Sequence, residues 1–269
     1  MFIHNFDPVL IDLGFFQIRW YSASYILGIL IGWWYANKII KSTGNNQYNF
    51  KQITTAQFDD LIIYLVIGII LGGRFGYVIF YNLNYYLQNS LEIFQVWQGG
   101  MSFHGGLLGV IISILIFSKR RYINFFKFSD IVSCVAPIGI LLGRIANFIN
   151  GELYGKVTIL PWGIIFPNAG NLSRHPSQIY EAFLEGILLF LIINYLAFKK
   201  KFIYRAGYIS AIFLILYSIL RIFSEIFREP DAHLGLLFNY FSMGTLLSLL
   251  TITFGLFIIL FIKKNERNN

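Results

Sequence analysis

The sequence lacks the residues and motifs that build many familiar chemical sites. It has 1 cysteine, Cys134, so neither an internal disulfide nor a paired-cysteine metal site can form. It contains no Gly-x-Ser-x-Gly, His-Glu-x-x-His or Walker motif, which argues against a serine hydrolase, a zinc protease and a nucleotide-hydrolysing enzyme. An aspartate-rich pair that could hold magnesium on a diphosphate is also missing. We therefore expect any reaction to use no metal and no other cofactor, and to depend on arginine and histidine side chains.

Charged residues are scarce as well, at 13% of the chain, whereas 57% of the 269 residues are hydrophobic. Apolar runs of about 20 residues, the length that crosses a bilayer, recur along the whole sequence. This pattern excludes an ordinary soluble protein. It predicts an all-α integral membrane protein, a bundle of about seven transmembrane helices that forms a single polytopic domain over 1–269. The predicted spans are 21–40, 58–81, 101–117, 129–149, 177–198, 206–227 and 242–262.

Basic residues are distributed unevenly between the loops. Of the 21 lysines and arginines, fourteen lie on one side of the predicted spans and four on the other. Cytoplasmic loops carry the basic excess, so we expect the N-terminus outside and the C-terminus in the cytoplasm. The net charge of +8 therefore reflects topology and does not indicate nucleic acid. The fourteen are Lys38, Lys41, Lys51, Lys119, Arg120, Arg121, Lys127, Lys199, Lys200, Lys201, Arg205, Lys263, Lys264 and Arg267, and the four are Arg19, Lys156, Arg174 and Arg228.

Two segments on the predicted outer side are too polar or too rich in turn residues to span. The first, 1–20, should lie along the outer surface of the membrane. The second, 151–174, contains Pro161-Trp162-Gly163 and Pro167, and is predicted to be a loop, short hairpin or flap over the outer mouth. Together they predict a small periplasmic head.

Three basic residues remain, and all fall inside predicted spans: Arg74, Arg144 and Arg221. Arginine in hydrocarbon is expensive, so such residues usually mark function. Counted from the cytoplasmic ends of their helices, the three reach a similar depth in the outer half of the bilayer. They could form a ring around a shared cavity, or they could be three unrelated ion pairs.

The stretch Gly143–Gly155 carries the densest set of polar residues. Arg144 and Asn147 share one helix face because they are three residues apart. Asn150-Gly151 is a turn signal, so the helix should stop there and leave Glu152 just past the membrane edge.

Other polar residues suggest further parts of a site. Arg221, Glu225 and Arg228 line one stripe, in which Arg221–Glu225 could be a plain ion pair. Arginine's planar fork suits phosphate oxygens. His104 could move a proton or could be a hydrogen-bonded interfacial residue. Tyr21 and Tyr25 could be an aromatic belt. A second polar stripe holds Gln178, Glu181 and Glu185, of which Glu185 is better explained as an arginine partner than as an acid or base.

The stretch Gly143–Gly155 closely resembles the signature of the prolipoprotein diacylglyceryl transferase family. The resemblance extends over nearly the whole chain, in order, through 72–77, 100–106, 174–181 and 227–231. It implies seven helices in the bacterial cytoplasmic (inner) membrane, with the active site towards the periplasmic side. It also implies transfer of a diacylglyceryl group from phosphatidylglycerol to the lipobox cysteine of a prolipoprotein signal peptide. Glycerol 1-phosphate leaves, a thioether remains, and no cofactor takes part.

The resemblance also implies roles for individual residues. Arg144 corresponds to the arginine that binds phosphatidylglycerol, and Arg74 is grouped with the lipid-binding residues. The thiol comes from the substrate and not from Cys134. His104 could be the base, directly or through Tyr21, or the arginines could lower the thiol pKa without a formal base. Further lipid-binding residues are Asn147, Glu152 and Gly155, and the catalytic set is His104, Tyr21, Arg221 and Glu225. Ala146 departs from the family pattern, which more often has glycine there.

Two rival interpretations remain from other classes. An arginine-lined lipid or anion transporter would also need buried guanidinium groups. No internal inverted repeat is visible, however, and the charges cluster at one depth instead of lining a path. A purely structural membrane scaffold would leave three buried arginines without a purpose.

Overall fold

The computed structural model describes residues 2–14, 17–43, 53–96, 99–230 and 241–268. The chain falls into two compact units. The first comprises Met1–Ala36 and Asp130–Asn269, and the second comprises Asn37–Ser129. The α-helices are α1 Trp20–Thr43, α2 Thr55–Tyr81, α3 Leu83–Gln88, α4 Phe103–Arg121, α5 Phe125–Ile149, α6 Ser177–Glu181, α7 Leu189–Phe198, α8 Tyr208–Glu225 and α9 Met243–Asn268. A π-helical segment, Ala182–Leu188, joins α6 to α7.

Among the described residues, five helices are long and apolar enough to cross a membrane. The chain is therefore a mostly helical, multi-pass membrane protein, as predicted. The two remaining predicted spans are also helical, as α1 and α4, but seven crossings, the orientation and a single membrane domain stay predictions. The five are Thr55–Tyr81, Phe125–Ile149, Ser177–Phe198, Tyr208–Glu225 and Met243–Arg267.

Short strands in the first unit add to the predicted all-α architecture. Strands β1 (Phe2–Ile3), β4 (Ile164–Ile165) and β5 (Ser173–Arg174) form one sheet in the order β1-β4-β5. In it, β1 runs parallel to β4, and β4 pairs with β5 as a hairpin. Strands β2 (Val9–Asp12) and β3 (Gln17–Arg19) form a second hairpin that leads directly into α1. Sequence periodicity cannot show the parallel pair, because its strands are far apart in the chain.

A buried histidine fastens the N-terminal segment to this sheet and to the end of α5. The backbone N–H of His4 donates to the carbonyl of Ile165 at 2.8 Å. Its ring Nε2 lies 2.6 Å from the carbonyl of Phe148, which can only accept, so Nε2 donates. The ring also packs against Phe6 and Phe166. His4 therefore links the start of the chain to the segment that carries the signature.

In the second unit, glycines let α2 and α4 pack backbone to backbone. A Cβ atom added at Gly72 would lie 3.0 Å from the Cα of Gly109, and one added at Gly76 would lie 2.7 Å from the Cα of Gly105. No larger side chain fits at these positions without displacing a helix. Close approach of this kind is what small residues four apart allow between membrane helices.

Candidate active site

The signature stretch folds as the last turns of α5 followed by a tight polar turn. Helix α5 ends at Ile149, and Gly151 adopts a φ of +65°, which glycine reaches without strain. The amide of Asn147 donates to Glu152 Oε1 at 2.7 Å. From α6, Gln178 Nε2 donates to the backbone carbonyl of Glu152 at 2.6 Å. The helix end predicted at Asn150-Gly151 is confirmed, and the turn brings Glu152 back towards α5.

Arg144 on α5 lies between two buried carboxylates. Its Nη1 is 3.0 Å from Glu181 Oε2, and its Nη2 is 3.0 Å from Glu185 Oε2. Both glutamate side chains are fully buried, whereas the Arg144 side chain is 16% exposed. The guanidinium plane therefore bridges two carboxylates, and the side chain is not completely enclosed.

Arg221 on α8 binds the same two glutamates from another side. Its Nη1 is 2.7 Å from Glu181 Oε1 and 3.4 Å from Glu185 Oε1. Its Nη2 bonds Glu225 one turn further along α8, so the predicted ion pair exists. Arg228 Nη1 approaches Glu181 Oε1 at 3.3 Å. Glu181 is thus the hub of the cluster, with three arginines around one carboxylate.

The chain between Glu181 and Glu185 is not a regular α-helix. Glu185 lies inside the π-helical segment Ala182–Leu188, and Glu181 immediately precedes it. Next to Glu185, Gly186 allows close contact with α5, because a Cβ there would lie 2.7 Å from the Cβ of Leu141. Leu141 precedes Arg144 by one helical turn. π-helical turns are frequent at functional sites. In this chain the irregular turn brings Glu185 within reach of Arg144.

Three guanidinium groups and three carboxylates make up this cluster, which we call the arginine–glutamate network. It consists of Arg144, Arg221, Arg228, Glu181, Glu185 and Glu225. Its formal charges cancel, so each buried ion has partners of opposite charge that offset part of the cost of removing it from water. Ser224 adds a hydrogen bond to Glu185 Oε1 at 3.1 Å. The result is a buried array of guanidinium groups held in fixed positions.

Two tyrosines at the start of α1 belong to the same unit. The hydroxyl of Tyr25 donates to that of Tyr21 at 3.2 Å. Tyr25 also lies in the neighbourhood of Arg144 and Glu152. Tyr21 is thereby connected to the signature through its neighbour on the next helical turn.

Gly155 has a packing reason to be glycine. A Cβ atom there would lie 2.6 Å from the Cβ and the carbonyl oxygen of His175, and 2.6 Å from the carbonyl oxygen of Phe227. Its N–H donates to the His175 carbonyl at 2.9 Å, and it bridges to Arg228 as an isolated β pair. Gly155 therefore holds Arg228 beside the signature, and its predicted role in lipid binding stays a prediction.

Arg74 lies in the second unit and makes its contacts there. Its guanidinium donates to the backbone carbonyls of Ile93 at 2.8 Å and Gly100 at 3.3 Å, and also to those of Glu92 and Gly99. It also lies 5.1 Å from the centre of the Tyr86 ring. These bonds organise the glycine-rich turn that precedes α4. The predicted ring of three arginines, and lipid binding by Arg74, stay predictions.

His104 lies in the first turn of α4, and its side chain is outside the described residues. The helix begins at Phe103, with Ser102 as its N-cap: the Ser102 hydroxyl accepts from the N–H of Gly105. The proton role of His104 therefore stays a prediction.

Sequence reasoning missed the central place of Glu181. The spacing of Gln178, Glu181 and Glu185 indicates a polar stripe and predicts that Glu185 pairs with an arginine. That pairing is confirmed, because Glu185 contacts both Arg144 and Arg221. The signal for Glu181 is that Arg144 and Arg221 lie in apolar predicted spans and need carboxylate partners, which Glu181 and Glu185 supply.

The sequence was compared with known proteins. The family model described as prolipoprotein diacylglyceryl transferase matches residues 8–261. Proteins named phosphatidylglycerol–prolipoprotein diacylglyceryl transferase are similar over 256 residues. The one from Rickettsia felis is 49% identical, over 95% of this chain and 96% of its own length. Those from Rickettsia canadensis and Rickettsia bellii (strain OSU 85-389) are 49% and 47% identical over 95% of this chain, and over 96% and 95% of their own lengths. With this match along almost its whole length, the chain belongs to the prolipoprotein diacylglyceryl transferase family.

Proposed function

We propose that this chain transfers the diacylglyceryl group of phosphatidylglycerol to the lipobox cysteine thiol of a prolipoprotein. A carbon–sulfur bond forms, and the bond between the same glycerol carbon and the phosphate oxygen breaks. The electron pair leaves on the phosphate oxygen as glycerol 1-phosphate, and the thiol proton is removed. The observation that carries this proposal is the arginine–glutamate network, a buried guanidinium array suited to a lipid phosphate.

Arg144 is the first guanidinium we assign to the lipid phosphate. Each terminal nitrogen of its guanidinium contacts one glutamate: Nη1 contacts Glu181, and Nη2 contacts Glu185. A guanidinium has five N–H donors, so it can bind these carboxylates and still offer donors to a phosphate. At 16%, the Arg144 side chain is more exposed than those of Arg221 and Arg228, at 11% and 8%.

Arg221 is the second guanidinium: it binds the phosphate of the bound lipid and also stabilises the charge that develops on the leaving group. Donors that are already oriented cost no reorganisation when charge appears, and they act strongly where water is excluded. Glu181 and Glu185 supply this orientation because each of them contacts both arginines. The glutamates hold the arginines in place and are not the acid or base of the reaction.

The nucleophile is the thiol of the prolipoprotein, and we propose His104 as the group that accepts its proton. Imidazole titrates near neutral pH and suits this task. The pair of hydroxyls formed by Tyr21 and Tyr25 offers a relay near Arg144. Cys134 is fully buried in α5, and the proposed reaction does not use its thiol.

We further propose seven crossings of the bacterial inner membrane, with α1 and α4 completing the set of five. The excess of basic residues at the C-terminal ends of α1, α4 and α9 and in the loops after α1, α4 and α7 supports a cytoplasmic C-terminus and an outer N-terminus. The active site then faces the periplasm, from which the lipobox of the prolipoprotein arrives. The two small sheets form the periplasmic head.

One experiment separates this function from lipid or anion transport. The purified protein in detergent is mixed with phosphatidylglycerol and a lipobox peptide, and mass spectrometry measures the thioether product. A peptide with serine in place of the cysteine is the matched control and should give no product. Lipid movement between vesicle leaflets without any thioether would instead indicate a transporter and would refute the proposal.

A further inference from the structure

The first turn of α9 lies against Glu225 of the arginine–glutamate network. The hydroxyl of Ser242 donates to Glu225 Oε2 at 2.9 Å. The same oxygen of Ser242 accepts from the backbone N–H of Thr245 at 3.1 Å, which caps the start of α9. The Thr245 hydroxyl lies 3.0 Å from it and can donate as well. Ser242 thus joins the start of α9 to the carboxylate of Glu225.

The two oxygens of Glu225 have separate partners. Oε1 binds Arg221, and Oε2 binds Ser242. The Glu225 side chain is only 7% exposed, so water can replace neither partner fully. The start of α9, the positive end of its helix dipole, lies on the same side as this carboxylate.

Gly244 makes this arrangement possible. A Cβ atom at Gly244 would lie 2.9 Å from Glu225 Cδ and 3.4 Å from Arg221 Nη2. Any larger residue would therefore push the carboxylate away from its place. The absence of a side chain at Gly244 therefore lets α9 pack directly against the Arg221–Glu225 ion pair.

We propose that Ser242 and Gly244 are positioning residues that fix Glu225 on Arg221 and so orient Arg221 for the lipid phosphate. This inference rests on the proposed function, because it concerns the same site. Glu225 held at both oxygens cannot rotate, and the guanidinium of Arg221 then has one orientation. The start of α9 becomes part of the support of the site and not only a membrane span.

Two substitutions at one position separate this role from simple helix capping. Ser242→Thr keeps both the cap acceptor and the hydroxyl donor. Ser242→Asp keeps the acceptor but removes the donor and places a second carboxylate against Glu225. Aspartate is as good a helix cap as serine and better than threonine. Capping alone therefore predicts that aspartate is tolerated at least as well as threonine, whereas positioning predicts the reverse.

We expect Ser242→Thr to stay within about twofold of the parent in kcat/KM. We expect Ser242→Asp to lose about 10- to 150-fold, the range for one hydrogen bond to a charged group. The loss should appear as a raised KM for phosphatidylglycerol with an unchanged KM for the lipobox peptide. A smaller fraction of folded protein would instead lower the apparent kcat and leave both KM values unchanged. Equal activities of the two variants, or a better aspartate variant, would overturn the proposal.

A second-site change provides an independent check. When Ser242→Asp is combined with Glu225→Gln, the glutamine amide can donate to the introduced aspartate while its oxygen accepts from Arg221. We expect at least about a tenfold recovery over Ser242→Asp alone, because the like-charge contact is gone. If Ser242→Asp does not fold, the yield of folded protein replaces turnover as the readout. A double variant that recovers neither yield nor turnover contradicts the proposal.

Gly244→Ala and Gly139→Ala form the last pair. A Cβ at Gly139 meets no atom within 4 Å, so that variant controls for the general effect of alanine in a helix. We expect Gly244→Ala to raise the KM for phosphatidylglycerol and Gly139→Ala to leave it unchanged. If the parent protein forms no thioether, the proposed function fails. If the parent is active and both alanine variants match it, only the positioning proposal fails.

Discussion

Replacing Arg144 with lysine keeps the charge but removes the planar fork. The Arg144 guanidinium spans Glu181 and Glu185, with one 3.0 Å contact to each. A lysine ammonium is a point donor and cannot hold both carboxylates and a bidentate phosphate together. One hydrogen bond to a charged group is then lost, which costs about 1.5–3 kcal/mol. Both carboxylates are fully buried, so solvent screening does not reduce this loss.

That loss corresponds to a decrease of about 10- to 150-fold in kcat/KM if the missing bond is made in the transition state. The assay measures thioether formation on a lipobox peptide over a range of phosphatidylglycerol concentrations, and lipid binding is measured separately. Arg205→Lys is the matched control, because Arg205 pairs with Glu266 at a site where both side chains are more than 40% exposed. Such exposed pairs contribute about 0–1 kcal/mol. An Arg144→Lys variant with parental turnover and parental lipid affinity would show that Arg144 does not hold the phosphate.

Four further outcomes are expected. Cys134→Ser should remain active, because the thiol is buried and the nucleophile is the substrate's; a folded but inactive variant, checked by thioether formation, would contradict this. His104→Gln should bind phosphatidylglycerol like the parent and lose most of its turnover, and near-parental turnover would exclude the proton role. Asp130→Asn should lower the free energy of unfolding by about 1.5–3 kcal/mol, because Asp130 accepts hydrogen bonds from the start of α8. The measurement is the melting temperature, and an unchanged value would refute this prediction. The pKa of His175 is lowered by burial and by the nearby charge of Lys156. The folded state therefore binds a proton at His175 less tightly than the unfolded state does. As a result, the free energy of unfolding should fall as the pH drops below about 6.5. His175→Gln should make stability less dependent on pH in that window, and an unchanged slope would exclude His175 as the source.

Local patterns in the sequence anticipated those features that depend on neighbours in the chain. The stop of α5 before Gly151 follows from turn chemistry, and the Arg221–Glu225 pair follows from helical spacing. Each of these depends on residues within about one turn of a helix or on a local motif.

Features that join distant parts of the chain could not be predicted in this way. Residue spacing places Glu181 in a polar stripe, but it does not show that three arginines from two other segments meet on Glu181. The π-helical turn at Glu185 has no sequence signal comparable to a proline or a glycine. Ser242 looks like an ordinary helix cap, and its second bond to Glu225 appears only in three dimensions. The function was accessible mainly through resemblance, since the residues alone also allowed a transporter.

The parallel pairing of β1 with β4 has a consequence for how the protein is made. Phe2 pairs with Ile164, so the first strand has no partner until about 160 more residues have been synthesised. At 5–20 residues per second, this wait is on the order of ten seconds. During that time His4 also has no carbonyl of Phe148 to bind, because α5 is completed late in the same interval. The sheet therefore closes only after more than half of the chain has been synthesised, and the first strand waits for a partner made much later.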